Sequence, residues 1–268
     1  MSRYKLRANY DIENIDSQKM DGTVIVDVPM LSNGELNYGL SHIKKKLYEE
    51  NVYPSEIGFD IMSLATMVYM ADTRIERVVH GQDSWTREIE LEIPVSNVEI
   101  WDSQIRTVER MLKFLTGDLW KITLSSRAWQ FNNLEEVREK SNKYDEVSLF
   151  SGGMDSLIST INLMENKKNT LLISHAGEGL TKNAQKNIVN KFDLLYPDVL
   201  HTWLDLWMVF PRDYIPAGGN DNNTRSRSFL FIGYALFAMT GMDNINELLV
   251  PENGLIALNV PLDETRVG

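Results

Sequence analysis

The sequence predicts an α/β chain whose second half is built on a parallel sheet. Three observations carry that expectation. Short apolar strands alternate with helix-length segments after residue 142. A double glycine joins the first of those strands to its helix. The 268 residues are 43% hydrophobic, enough apolar material for packed cores.

In chain order, Thr23 to Val28 (TVIVDV) is a β-branched run that reads as a strand. Ser41 to Asn51 is polar and carries no clear fold signal. Pro54 to Tyr69 reads as a helix, because Ile57, Ile61, Leu64 and Val68 recur at three- and four-residue spacing and Pro54 suits its start. Arg87 to Ile93 alternates charge with Ile89, Leu91 and Ile93, the pattern of a strand with one wet face. Trp101 to Thr116 returns to a helical period, with Gly117 at the position of a C-terminal cap. Trp120, Ile122 and Leu124 suggest a further half-buried strand. The stretch from Asn132 to Asp145 is polar and charged, a surface helix or linker. Residues 1–142 are therefore expected to form a smaller α+β N-terminal domain, and 143–268 a second domain.

That second domain reads as strand Glu146 to Phe150, helix Asp155 to Asn166, strand Thr170 to Ser174, helix Thr181 to Leu195, strand Val199 to Leu206, helix Arg225 to Thr240 and strand Leu248 to Val250. Such alternation implies right-handed crossovers and a parallel sheet, whose ligands bind off the carboxyl ends of the strands.

Composition narrows the function classes. Lys+Arg 27 against Asp+Glu 38 gives a net charge of −11, which argues against bulk nucleic-acid binding; any phosphate must be held locally. There is no cysteine, so these residues contain neither a disulfide nor a thiolate metal site. The start, MSRYKLRANYDIENID, has no apolar signal core, and the longest greasy stretch is interrupted by Gly233 and Gly241. A soluble cytoplasmic protein without membrane association is the expectation.

The strongest local signal is VSLFSGGMDS, Val147 to Ser156. Its glycines permit backbone conformations closed to other residues and let main-chain amides approach a ligand. The free N–H groups of a helix start and the hydroxyls of Ser151 and Ser156 complete a cradle for an anion. The alternative is a tight turn in which Asp155 or Ser156 merely caps the helix. The spacing is not that of a Walker loop, so transfer of a terminal phosphate is not implied. Further along, His175, Gly177 and Glu178 end the second strand. Lys182 and Lys186, four apart, are able to share a helix face toward phosphates, or else are solvated lysines.

The SGGMDS segment resembles the PP-loop of the N-type ATP pyrophosphatases, whose ATP-binding domain is a Rossmann-like parallel sheet. The resemblance implies that ATP is cleaved between its α and β phosphates and that an adenylated intermediate forms. It implies that Ser151, Gly152, Gly153, Asp155 and Ser156 hold the pyrophosphate, with Asp155 also placing Mg²⁺; His175 and Lys182 are the additional nucleotide-binding candidates. The segment RSRSFLFIGYALFA, Arg225 to Ala238, resembles the R-N-x-x-F-L-x-x-A block of the 7-cyano-7-deazaguanine synthases, the QueC family. Arg227, Phe231 and Ala235 are in register, and Ser228 stands in place of the asparagine. Arg227 is then a phosphate-binding and catalytic candidate, while Phe231 and Ala235 pack. The ending LLVPENGLIALNVPLDETRVG, with Glu252, Asn253 and Gly254 at a strand end, is similar to QueC-like proteins of anti-phage gene clusters.

These likenesses imply an ATP-dependent carbon–nitrogen ligase that adenylates a 7-carboxy-7-deazaguanine type of carboxylate and forms an amide or nitrile in antiviral defence, with other defence proteins as partners. The family's zinc-binding cysteine cluster would lie only outside these 268 residues, and the second domain is expected to be truncated at its C-terminal end. A PP-loop enzyme acting on tRNA and a non-catalytic nucleotide-sensing subunit are the alternative readings.

Overall fold

The computed structural model describes residues 3–131, 139–175, 179–208, 210–221 and 225–252. The elements run β1 (Arg3–Asn9), β2 (Asp16–Met20), β3 (Thr23–Pro29), β4 (Leu31–Ser32), β5 (Glu35–Leu36), α1 (Leu40–Glu49), α2 (Glu56–Arg74), α3 (Arg77–His80), β6 (Glu88–Val95), α4 (Val98–Asp102), α5 (Ile105–Thr116) and β7 (Leu119–Ser126). They continue as β8 (Glu146–Leu149), α6 (Met154–Glu165), β9 (Thr170–His175), α7 (Gly179–Leu195), β10 (His201–Leu206), α8 (Arg227–Met239) and β11 (Leu248–Leu249). The chain is α/β, with two main sheets.

The first sheet has the order β2-β3-β1-β6-β7. All its pairs are parallel except β2 with β3. The strand directions thus differ from the α+β arrangement expected of residues 1–142. The difference traces to β1, a central strand that buries alternating Tyr4, Leu6 and Ala8 and pairs in parallel with both neighbours. One face of this sheet is apolar and covered. The other carries Arg3, Lys5 and Arg7 opposite Glu88, Glu90, Glu92 and Asp27, joined in ion pairs across the strands. Parallel sheets are usually covered on both faces, and here, among the described residues, paired charge lines the second face.

The second sheet is wholly parallel, in the order β10-β9-β8-β11. In chain order these are its third, second, first and fourth strands, so the order reverses between β8 and β11. α6 and α7 cover one face through Leu157, Ile161, Val189 and Phe192 against Phe150, Leu172 and Trp203. α8 covers the other.

The two sheets are joined through α2. Ser55 caps its start by accepting a hydrogen bond from the Gly58 amide at 3.1 Å, and most of its residues are buried, as expected of a helix enclosed on all sides. It packs on β1 and β6 and, on its opposite side, on α8. The helices approach closely at Gly233, where an added Cβ would lie 2.8 Å from that of Ala65. One hydrophobic core consequently runs from Tyr4 to Met242 across the linker. No helix of the described residues is long and apolar enough to cross a membrane.

Ser41 to Asn51, which showed no clear signal, is mostly α1, where Leu40, Ile43 and Leu47 form a narrow buried stripe among lysines. The single helix expected over Trp101 to Thr116 is broken at Ser103 and Gln104, and ahead of the break the Trp101 indole donates to Asp60 at 3.1 Å. Gly117 caps α5 in the left-handed conformation, as its position implied. The linker centre and the VPLDETRVG segment lie outside the described residues.

Candidate functional site

The SGGMDS turn leaves the carboxyl end of β8 at the point where the strand order reverses, the place where open parallel sheets bind ligands. Gly152 has φ +83°, and Gly153 begins α6 with no side-chain cap. The turn is ordered by its own hydroxyls. Ser156, almost fully buried, accepts from the Gly152 amide at 3.1 Å and donates to the Gly153 carbonyl at 2.9 Å. The Ser151 hydroxyl accepts from the Gly153 amide at 3.3 Å and lies 3.1 Å from that of Ser156. Ser151, Gly152, Gly153 and Ser156 therefore form one compact cradle. Asp155 stands beside it in the first turn of α6, exposed and without a partner among the described residues.

Gln185 of α7 holds the cradle from behind. Its Nε2 donates to the Ser151 carbonyl at 3.0 Å, while its Oε1 is buried with no partner. Nothing in the sequence singled it out, since only the fold brings α7 against the turn.

His175 and Arg227 come together at the end of the neighbouring strand. An Arg227 guanidinium nitrogen donates to the His175 carbonyl at 3.2 Å. The His175 ring is 1% exposed, neither nitrogen has a hydrogen-bond partner, and Tyr69 meets it edge-on at 5.6 Å. Burial, helped by the nearby Arg227 charge, pushes the imidazole down to about 4; the Met208 backbone, outside hydrogen-bonding geometry, offsets only part of this. The ring is thus neutral at pH 7 and, in this conformation, is enclosed by protein.

The unfolded chain takes up a proton near pH 6.5 and the folded one only near 4, so stability is lost as pH falls through that window, by up to about 3 kcal/mol. Thermal unfolding between pH 7.5 and 4.5 is expected to show a steeper acid loss for the wild type than for His175→Leu. Parallel curves would contradict the buried neutral ring.

The start of α8 is fixed by a buried charge cluster to which residues before 142 contribute most of the members. The Asp118 carboxylate accepts from Arg77 at 2.7 and 2.9 Å and from the Arg87 side chain at 2.6 and 3.1 Å. Asp72 accepts from Arg87 at 2.6 Å through one oxygen and from the Ser226 amide at 3.0 Å through the other. The residue preceding Arg227 is thereby tied to α2. Arg225 adds a bond to the Thr116 carbonyl at 2.9 Å and stacks on Trp85 at 4.4 Å.

Lys182, expected at the phosphates, is instead paired with Asp205 of β10, which also takes Lys46 of α1; Lys186 is exposed. Gly177, Glu178, Asn253 and Gly254 lie outside the described residues, and Glu252 is exposed. Among the described residues no group of three or more His, Asp or Glu side chains is placed to hold a metal ion. A single exposed carboxylate such as Asp155 fits Mg²⁺ only when phosphate oxygens complete the shell.

Fold and turn together define an α/β protein with a glycine- and serine-built turn at the switch point of its second, parallel sheet. Comparison with known protein families, curated proteins and solved structures finds no match for the chain.

Proposed function

We propose that the chain is an ATP-dependent carbon–nitrogen ligase of the QueC-like PP-loop type. The observation that carries this reading is the cradle itself: a left-handed glycine, two hydroxyls and an uncapped helix start at the sheet's switch point. Ser151, Gly152, Gly153 and Ser156 bind the β and γ phosphates of ATP, and the hydroxyls that now satisfy the turn amides exchange those bonds for phosphate oxygens. Asp155 would hold Mg²⁺ together with those oxygens, and the ion would neutralise charge on departing pyrophosphate. Arg227 has guanidinium N–H groups beyond the one given to His175 and stabilises the phosphate charge that grows during transfer. His175, buried and neutral, supports Arg227 through its carbonyl instead of touching the nucleotide.

In the reaction a carboxylate oxygen attacks the α-phosphorus and the bond to the bridging oxygen breaks, releasing pyrophosphate. A nitrogen nucleophile then displaces AMP from the acyl adenylate and loses a proton. By the family likeness the carboxylate is of the 7-carboxy-7-deazaguanine type, and the product is an amide, or a nitrile when a second ATP adenylates the amide oxygen, which then leaves with AMP as nitrogen gives up two protons; the setting is anti-phage defence in the cytoplasm with other defence proteins.

The test is incubation of the purified chain with ATP, Mg²⁺, the deazaguanine carboxylate and ammonia or small amines, with nucleotide products separated chromatographically. AMP and pyrophosphate dependent on the carboxylate are expected, and Asp155→Asn should lower them by ~100-fold or more with an unchanged circular dichroism spectrum. Formation of ADP instead, or no AMP above a heat-inactivated control, would overturn the assignment.

A further inference from the structure

A group of residues that the phosphate site leaves unused meets at the carboxyl end of β10. Asp205 is 4% exposed and accepts hydrogen bonds from Lys46 of α1 and Lys182 of α7. Burial disfavours its charge, yet the two ammonium groups outweigh burial and hold the carboxyl below the usual carboxylate range. Two ammoniums thus share one carboxylate, the only one paired with either among the described residues. Trp207 follows two residues later. It is 41% exposed, and the Lys182 ammonium lies 5.6 Å from its ring centroid. The start of α1 is pressed against the same turn, since a Cβ added to Gly39 would lie 2.9 Å from the Trp207 carbonyl oxygen. Gly39 keeps φ +79° there, so α1, and with it Lys46, is seated on the edge of the second sheet.

This cluster adjoins the cradle. Lys182 is one helical turn from Gln185, which bonds Ser151. β8 and β10 are separated only by β9, so their carboxyl ends are on the order of 10 Å apart. That span suits a phosphate chain at one end and a second reactant at the other. An aromatic ring left half bare beside two ammoniums that share a single carboxylate among the described residues complements a flat anion, through stacking on the indole and charge-assisted bonds to the ammoniums.

We propose that Trp207, Lys46 and Lys182 form the acceptor subsite, in which a planar aromatic carboxylate stacks on the indole and its carboxylate is held by the two ammoniums. The inference rests on the ligase reading above and adds the residues that select its substrate. It also gives residues before 142 a direct part in the site, through Lys46.

The test is steady-state AMP release by the wild type, Lys46→Gln, Lys46→Arg and Trp207→Leu, with 7-carboxy-7-deazaguanine varied at saturating ATP and ATP varied at saturating carboxylate. Lys46→Gln and Trp207→Leu should raise the carboxylate KM about tenfold or more while the ATP KM stays within about twofold, and Lys46→Arg should recover most of the loss. Indole fluorescence supplies a measurement independent of turnover and of the Lys46 variants: titration with the carboxylate alone should quench the wild type and leave Trp207→Phe unquenched. An unchanged carboxylate KM in both Lys46→Gln and Trp207→Leu, or equal quenching of Trp207→Phe, overturns the subsite while leaving an active ligase. A parallel rise in the ATP KM overturns it too, by returning these residues to the nucleotide. A wild type without carboxylate-dependent AMP overturns the ligase reading, and the subsite with it.

Discussion

Gly152→Ala is expected to abolish nucleotide turnover in a chain that still folds. The residue has φ +83°, a conformation that costs an L-residue roughly 1–2 kcal/mol. An added Cβ would also lie 2.9 Å from Gln185 Cγ, the side chain that buttresses the turn. Two responses are open to the chain. The turn flips to negative φ, which re-aims the Gly152 amide, or α7 retreats, which breaks the Gln185 bond to the Ser151 carbonyl. Either one disperses donors whose value depends on preorganised placement, and loss of a single such donor costs about 100- to 1000-fold. The expected result is AMP release reduced by that factor or more, with unfolding stability lower by about 1–2 kcal/mol. Gly153 supplies the contrast. Its φ is −84° and an added Cβ meets only Ser151 Oγ at 3.4 Å, so Gly153→Ala should stay within about 0.5 kcal/mol of wild-type stability. Turnover and thermal unfolding measured on both variants decide the matter. Wild-type kinetics in Gly152→Ala would mean that the phosphates bind elsewhere.

Asp118→Ala carries the largest expected loss of stability. Asp118 is fully buried and is the shared acceptor of Arg77 and Arg87, themselves 6% and 1% exposed. Its removal leaves two buried guanidiniums with Asp72, and more distantly Asp221 at 3.7 Å, as their remaining carboxylates among the described residues. Breaking a buried pair by deleting one partner typically costs 3–5 kcal/mol, because the surviving charge stays desolvated. For a chain of this size that corresponds to a fall in Tm of roughly 10 °C. The damage should also reach the site, since Asp72, shared by the same arginines, holds the Ser226 amide next to Arg227. Amide exchange at the start of α8 should therefore quicken more than in β8 or β9. A loss below about 1 kcal/mol would contradict a dry, mutually dependent cluster.

Much of the second sheet was legible because its signals are local. Apolar strands of one period and helices of another, joined by a double glycine, place the βα units within a residue or two of where they fold, and Gly117 announces its cap. The first half was less legible. β2 is wholly exposed and has no alternation of its own, so only its pairing with β3 makes it a strand. α1 hides three apolar residues among lysines, and the parallel sense of β1 depends on neighbours distant in sequence.

The site divides along the same line. Ser151, Gly152, Gly153, Asp155 and Ser156 are contiguous, so the sequence alone determined the cradle: backbone freedom at glycine and hydroxyl donors act within a few bonds. It equally determined the alternating elements and the acidic, cysteine-free composition. Tertiary structure alone decided that Gln185 backs the cradle, that Lys182 turns to Asp205, that Lys46 joins it from α1, and that a charge cluster rooted in α2 fixes the approach to Arg227. Each of those choices balances the cost of burying a charge or amide against partners that only the folded chain brings within hydrogen-bonding distance. Such a balance involves residues scores of positions apart, and no local pattern encodes it.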